Sequence, residues 1–453
     1  MKTLAMVAAI ALASGGAAQA QSNEELKAML DKALKTIQDL QVRVNALEQQ
    51  KPAAAAGARA TPAAAAPAPA TWGAPMVAAG SRAEEGAPDA DKARVEIYGQ
   101  AMIDAIYDFK RMHPDWQSTL RPSQIPLVCP GSPGCGQDGA TIFSIRQSSL
   151  GFKGFIPTTS GLVKTDLAFD LFGTNGGTQI HWLRAWAEVG MFGIGQTDSN
   201  FMDIDVFPNT VDYWGPSGMV FVRNPQLRLT PWTKDGMSLA FSLEAPNSAI
   251  DTGKISQVSP DFGAGFTGWN RLPDAVGALR VGGDWGHLRA AGILRQVGYQ
   301  NTLTPDGKPS GHKTGYGLNL SGTIKVLGKD QVNWQLVGGE AIASYMNDGG
   351  VDLAPGQGLN AETVRSRGWL TYYNHSWSEQ WSSTIGYSQH QQDNAAGQTG
   401  TAFHRGSYGN LNVMYYPVKN VTTGLEFVWG ELDQKSGASA ADYRLQFSTK
   451  VTF

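Results

Sequence analysis

Arginine recurs beside apolar residues in several short segments of the sequence. Arg228 lies between Leu227 and Leu229, and Arg280 lies between Leu279 and Val281. Neighbouring side chains of an extended strand point to opposite faces, so each arginine is predicted to face away from its apolar neighbours. Five arginines follow this pattern and are predicted to line one wall: Arg184, Arg228, Arg280, Arg289 and Arg295. A guanidinium binds a carboxylate through two parallel hydrogen bonds, so this wall is suited to attract anions.

Acidic residues lie in other parts of the sequence. Four are on the polar face of the first and third predicted strands: Glu96, Asp104, Asp166 and Asp170. Four more lie in the long segment 195–218: Asp198, Asp203, Asp205 and Asp212. If the strands enclose a pore, the separated walls of opposite charge predict a transverse electric field across it. The alternative is that an arginine only holds the wall together through an ion pair; Arg184 with Glu188, Lys164 with Asp166, and any arginine facing Asp203 or Asp205 are the expected pairs.

The sequence shows no catalytic motif in its required context. The strings "DFG" at 261–263 and "TGYG" at 314–317 lack the settings of a kinase or a potassium filter, and G-x-S-x-G and H-E-x-x-H are absent. The seven histidines have no zinc-type spacing. We therefore predict no enzyme, no cofactor and no metal. Cys129 and Cys135 are predicted to close a short loop as a disulfide in an exported protein.

The first twenty residues, "MKTLAMVAAIALASGGAAQA", are predicted to be a signal peptide. They combine an early lysine, an apolar run and an A-x-A cleavage site before Gln21. No later apolar run reaches the roughly 18 residues that favour a membrane-spanning helix. A formal net charge of −3 disfavours a strongly basic nucleic-acid binder. The chain is therefore predicted to be exported.

Residues 21–50 carry a heptad pattern. Position a is fitted by Leu30, Ile37 and Val44, and position d by Leu26, Ala33, Leu40 and Leu47. This pattern predicts a short α-helical coiled coil in the periplasm, with an amphipathic helix on another surface as the alternative. Residues 51–93 are dominated by alanine, proline and glycine, which predicts a disordered linker.

The chain from 94 to 453 reads as sixteen short alternating strands. Every second connection is short and most of those between are long, which is typical of an outer-membrane barrel with its short turns in the periplasm. Four tryptophans lie in or beside the short turns, as an interfacial girdle would: Trp232, Trp285, Trp377 and Trp381. The predicted fold class is all-β, a sixteen-stranded antiparallel transmembrane barrel. A soluble β-solenoid or sandwich is the alternative.

The last strand, "RLQFSTKVTF", alternates strictly and ends on Phe453. Leu445, Phe447 and Val451 are predicted to face lipid, and Arg444 and Lys450 to face water. The strand is predicted to close the barrel, with the aromatic terminus as its C-terminal signal. About sixteen strands leave an aqueous channel, so passage of solutes is the expected function.

Four stretches of the sequence resemble the DcaP-like trimeric porins of the sixteen-stranded porin superfamily. They are "QSSLGFKGF" at 147–155, "FPNTVDYWGPSG" at 207–218, "FVRNPQLRLT" at 221–230 and "GHLRAAGILRQ" at 286–296. The resemblance implies a homotrimer of pores, an N-terminal periplasmic coiled coil and uptake of small anions such as dicarboxylates. General porins tend to have arginine where this chain has Ser149, which removes one possible lumen cation.

The leading hypothesis is a passive, anion-preferring homotrimeric porin of the outer membrane. Its expected partners are the lipid bilayer, copies of itself and small anionic solutes. One alternative is an unselective general pore. Another is a barrel that anchors the coiled coil, which would tether the membrane to peptidoglycan or another envelope component. An outer-membrane hydrolase is disfavoured, since no nucleophile, base and orienting group occur in a recognisable arrangement.

Overall fold

The computed structural model describes residues 92–127, 137–173, 175–246 and 257–453. The predicted signal peptide 1–20, the coiled coil 21–50 and nearly all of the linker 51–93 lie outside these ranges, as do Cys129 and Cys135. No helix in the described ranges is long and apolar enough to cross a membrane.

Strands dominate the described chain. They are β1 (Arg94–Asp108), β2 (Ala140–Ser144), β3 (Ser149–Thr158), β4 (Gly161–Phe172), β5 (Thr178–Val189), β6 (Phe192–Asp198), β7 (Arg223–Lys234), β8 (Met237–Glu244), β9 (Phe266–Gly268), β10 (Asp274–Gly283), β11 (Gly286–Asn301), β12 (Gly311–Val326), β13 (Asp330–Glu340), β14 (Leu353–Pro355), β15 (Ala361–Thr363), β16 (Arg365–Ser376), β17 (Trp381–Asp393), β18 (Phe403–Val418), β19 (Val421–Gln434) and β20 (Ser439–Thr452). Short 3₁₀ helices lie in the connections: Pro114–Trp116, Pro122–Gln124, Ile204–Val206, Pro260–Phe262, Ala343–Tyr345 and Gln357–Leu359.

The main sheet closes on itself. β1 pairs antiparallel with β20, from Gln100 opposite Thr452 to Asp108 opposite Arg444. β2 and β3 pair with successive parts of β1, and β9 and β10 pair with successive parts of β11, so each of these couples makes one barrel strand. The result is the sixteen-stranded antiparallel barrel that the sequence predicts. β14 and β15 form a separate ribbon in a long connection.

Alternation along the strands gives the barrel an apolar outside and a polar inside. On β20, Phe447 and Val451 are 48% and 45% exposed on the outer surface, whereas Arg444 and Lys450 are buried inside. Trp232, Trp285, Trp377 and Trp381 are exposed and lie at the short-turn rim, where an interfacial girdle is expected. The outer surface is therefore suited to lipid.

The barrel contains an apolar core between its inner wall and the chain that folds inside. Phe201 and Met202, in the connection between β6 and β7, pack against Val276, Ile293 and Val337 of the wall. This packing holds the connection against one side of the barrel.

One predicted strand is shorter than the sequence pattern suggests. The predicted strand 331–345 ends at Glu340, because Ala341 has a left-handed φ of 54° and the 3₁₀ helix Ala343–Tyr345 follows. The turn redirects the chain inward, where Ala341, Ile342 and Ala343 are buried.

Candidate functional site

The connection between β6 and β7, residues 199–222, folds into the barrel interior; we call it the constriction loop. Its base is held by two carboxylates. Glu244 on β8 accepts hydrogen bonds from the Ser199 hydroxyl at 2.6 Å and from the Asn200 amide at 2.8 Å. Asp203 in the loop accepts from Ser321 Oγ at 2.7 Å and lies 2.8 Å from His287 Nε2.

The tip of the constriction loop is held by Glu426 on β19. This fully buried carboxylate accepts from Thr210 Oγ1 at 2.6 Å, from the Val211 amide at 3.1 Å and from the Asp212 amide at 2.9 Å. Asn410 and Asn412 on β18 also donate to it. Five hydrogen bonds converge on this one carboxyl group, so Glu426 anchors the tip.

Side-chain amides satisfy the loop's carbonyl groups along its course. Seven asparagine and glutamine residues donate to loop carbonyl oxygens: Gln147, Asn319, Asn333, Gln335, Asn347, Asn412 and Gln446. Buried backbone groups need such partners. Sequence reasoning concentrated on charges and missed these residues. The sequence could have indicated them, since several lie on the same face of their strand as the inward charged residues.

Two arginines of the predicted wall are closed off in ion pairs. Arg295 is buried, with Asp274 and Asp352 each 3.2 Å away. Arg184 is also buried, 3.3 Å from Asp166 and 3.8 Å from Asp198. Neither guanidinium is placed to meet a passing solute.

The predicted pairing of Arg184 with Glu188 is wrong. Residues four apart on a strand are separated by about 13 Å, and Glu188 instead accepts a hydrogen bond from Trp186 Nε1 at 3.2 Å. Lys164 was expected to pair with Asp166. Asp166 contacts Arg184 and the Tyr98 hydroxyl, which reach it from other strands. The ion pairs of Arg184 are thus made across strands, with Asp166 on β4 and Asp198 on β6.

Arg280 makes a partly open ion pair with the constriction loop. Its Nη2 is 2.7 Å from Asp205 and its Nη1 is 3.6 Å from Asp203, with the arginine side chain 28% exposed. Pairing of an arginine with Asp203 or Asp205 was one of the expected structural pairs. Arg280 lies directly opposite Arg289 in the sheet register. Such like charges repel, and the two aspartates offset the repulsion.

Arg228 and Arg289 differ from the other three arginines. Both are half-buried, and neither makes an ion pair with any described residue. Arg228 Nη2 donates to the Asp198 carbonyl at 2.5 Å, and Arg289 Nη2 donates to the carbonyl and side-chain oxygens of Asn200 at 2.8 and 2.9 Å. Both therefore hold the base of the constriction loop, and neither has a described carboxylate within the 4 Å of a direct ion pair.

The predicted acidic residues do not form one group. Asp198, at the end of β6, lies 3.1 Å from Arg223. Asp212 is fully buried and accepts from Thr119 Oγ1 at 2.9 Å. Among the loop carboxylates, Asp205 is the more open, with a 36% exposed side chain.

The acidic residues on the strands are also separate from one another. Asp104 is buried and accepts from Ser448 Oγ at 2.6 Å. Asp170 is buried and accepts from the Tyr213 hydroxyl at 2.6 Å. Glu96 is exposed near the periplasmic rim. Most of the predicted acidic wall therefore holds the fold together.

One group of side chains in the described ranges has a composition that could bind a metal. Asp203, Asp205 and His287 offer ligand atoms that lie within 4.8 Å of one another. Arg280 contacts both carboxylates. The positive charge at this place is therefore the guanidinium.

Asp203 is expected to make the base of the loop sensitive to strong acid. Burial acts to raise its pKa, but the hydrogen bond and charge of His287, with Arg289 and Ser321, lower it to about 2. Because the folded pKa is below the ordinary value, this stabilisation is present above about pH 4 and is lost as pH falls through about 2.

The Asp203→Asn variant is expected to lower the free energy of unfolding by roughly 2 kcal/mol at neutral pH. The deficit should shrink as pH falls below about 4. Urea unfolding of both proteins in detergent at several pH values measures this difference. A deficit that is independent of pH would mean that packing, and not charge, holds Asp203.

The barrel is similar to solved outer-membrane channels. The outer membrane channel DcaP of Acinetobacter baumannii superposes with a TM-score of 0.67 at 20% identity, covering 81% of this chain and 99% of that chain. OmpT of Vibrio cholerae in its trimer form gives 0.49 at 11% identity, over 80% and 100% of the two chains. OmpF of Salmonella typhi gives 0.47 at 13% identity, over 79% and 97%. No curated protein sequence matches the chain.

The closed barrel and its inward connection have the fold of the sixteen-stranded porins. Residues 80–252 match the model of the DcaP outer membrane protein family. The resemblance to this family that the sequence predicts is confirmed. The barrel accordingly belongs in the outer membrane.

Proposed function

We propose that the channel passes small hydrophilic solutes with a preference for anions, dicarboxylates among them. The observation that carries this proposal is the pair Arg228 and Arg289, which make no direct ion pair with any described carboxylate. Both side chains are half-buried and keep part of their surface exposed. A passing carboxylate could satisfy their guanidinium donors with charge-assisted hydrogen bonds.

The geometry limits which arginines can act on a solute. Arg295 and Arg184 are shielded inside ion pairs, and Arg280 is shared with Asp203 and Asp205. The anion preference therefore depends on the two arginines outside direct ion pairs, Arg228 and Arg289, and the family resemblance adds the solute class. An unselective pore is the second candidate, favoured by the partly exposed Asp205 beside the same wall.

The assembly is proposed to be a homotrimer with an exported, periplasmic N-terminal part. The family resemblance supports the trimer, and the sequence patterns support a signal peptide at 1–20, a coiled coil at 21–50 and a linker at 51–93. A disulfide between Cys129 and Cys135 belongs to the same proposal. A contact of the coiled coil with peptidoglycan or another envelope component is tested by deleting residues 21–92. The contact is supported if the deletion removes a tethering phenotype and leaves the conductance unchanged.

The proposal is tested by the reversal potential of the purified protein in a planar bilayer under a salt gradient, with and without succinate on one side. We expect the sign of the reversal potential to show that anions cross more easily than cations. We also expect succinate to block the current briefly. Large, unblocked and unselective steps would support the general pore. Complete absence of conductance would contradict a channel and favour the anchor.

A further inference from the structure

A second loop enters the barrel beside the constriction loop. The first long connection leaves β1 at Asp108, and its residues 109–127 are described up to Leu127; we call this part the first-loop segment. Extracellular loops normally lie on the surface. Here Thr119, Leu120 and Arg121 are each at most 1% exposed. The segment is therefore part of the barrel interior.

Two glycines on the inner wall receive this segment. A Cβ atom on Gly430 of β19 would come within 2.3 Å of the Leu120 side chain, and one on Gly406 of β18 would come within 3.3 Å of Pro122. The missing side chains therefore leave a recess in the wall. Leu120 also belongs to a buried cluster with Trp116, Trp214 and Val428.

Arg121 lies at the centre of the contact between the two loops. Its guanidinium carbon is 4.1 Å from the ring centroid of Trp116 and 4.0 Å from that of Trp214, which belongs to the constriction loop. Its Nε and Nη2 lie 3.0 and 2.9 Å from Asp348 in the connection after β13. Asp348 also accepts from the Ser123 amide at 2.7 Å. Three connections thus meet at one buried arginine.

Backbone and hydroxyl groups join the same connections. Asp212 of the constriction loop accepts from the Leu120 amide at 3.0 Å, and the Trp214 amide donates to Thr119 Oγ1 at 2.9 Å. Asn347, next to Asp348, donates to the Trp214 carbonyl at 2.8 Å. Each loop therefore satisfies buried polar groups of the other, so displacement of one leaves the other unsatisfied.

We propose that the first-loop segment is a second constriction element and that Arg121 is the positioning residue that fixes the tip of the constriction loop. The charge is not available to solutes, since Arg121 is buried against two indoles that meet edge to face and is paired with Asp348. Its function is to keep the two loops in one arrangement. The inference needs only the channel and does not depend on anion preference.

The test compares single-channel recordings of the parent with Arg121→Met. Removing one member of a buried ion pair shifts an equilibrium by more than about 100-fold. We therefore expect the time spent in brief partial closures to rise by a factor of that order, as the released loops move into the lumen. Arg121→Lys keeps the charge but lacks the broad guanidinium that contacts both indoles, so an intermediate effect is expected.

Two further variants separate positioning from general damage. Arg365→Met removes an exposed arginine that pairs with Glu340 at 2.9 Å on the long-loop rim, so its recordings should match those of the parent. Gly430→Ala keeps Arg121 but fills the recess of Leu120, and it should also increase closures. Gly430→Ala decides the matter if Arg121→Met fails to fold. The proposal would be overturned if the folded variants gave recordings like those of Arg365→Met and differed from it only by a lower urea midpoint of unfolding.

Discussion

Replacing Arg228 and Arg289 together by glutamine is expected to remove most of the channel's anion preference. These are the two wall arginines that make no direct ion pair with a described carboxylate, and both lie at the base of the constriction loop. Reversal potentials under a salt gradient measure the change. Succinate should also block the double variant more weakly than the parent.

The expected size follows from simple electrostatics. Two unit charges about 7 Å from a passing anion each contribute roughly 0.6 kcal/mol in a water-like medium. Together they change the local anion concentration roughly five- to tenfold. The effect should fade at about 1 M salt, where the Debye length is about 3 Å, and should be largest near 0.1 M.

A matched pair of variants separates charge from loop position. Arg228→Lys with Arg289→Lys keeps both charges but loses part of the forked hydrogen bonding to the loop carbonyls, so it should retain the selectivity. Arg365→Gln with Arg367→Gln removes two exposed charges at the long-loop rim and should change little. Loss of selectivity in the lysine variant would show that the arginines act by holding the loop.

The sequence predicted the barrel because its signals are local. The alternation of apolar and polar residues determines which face of the strand each side chain lies on. A short turn makes two consecutive strands neighbours in the sheet and determines their register. Leu227, Leu288 and Leu294 are more than 40% exposed on the outer surface. This position is expected, because each leucine is next in the sequence to an inward arginine. Strand parity could therefore tell lipid-facing from inward residues.

Parity could not predict which inward charges are neutralised. Arg295 meets Asp352 from a connection 57 residues away, and Arg184 meets Asp166 from a neighbouring strand. Those contacts depend on where loops fold inside the barrel. The burial of Leu120 was equally hidden, because its recess is formed by glycines on strands at the far end of the chain. The candidate site was thus predicted as a list of inward residues, without their partners.

Glu426→Ala is expected to have the largest effect on the constriction loop. The change leaves the Thr210 hydroxyl, the Val211 and Asp212 amides and two asparagine side chains without their acceptor. Each buried donor left unpaired costs about 1–3 kcal/mol. We therefore expect the unfolding free energy to fall by at least about 3 kcal/mol, and single-channel currents to show frequent closures as the tip moves into the lumen.

The same strand supplies the control for this prediction. Glu431 is five residues further along β19 and has the opposite parity to Glu426, so Glu431→Ala removes a carboxylate without touching the loop. Glu426→Gln keeps one acceptor oxygen and should fall between the two. Because Asp212 joins the tip to Leu120, closures in Glu426→Ala and Arg121→Met should resemble each other in duration. The two changes combined should add less than the sum of their separate effects, since both release one coupled assembly of loops.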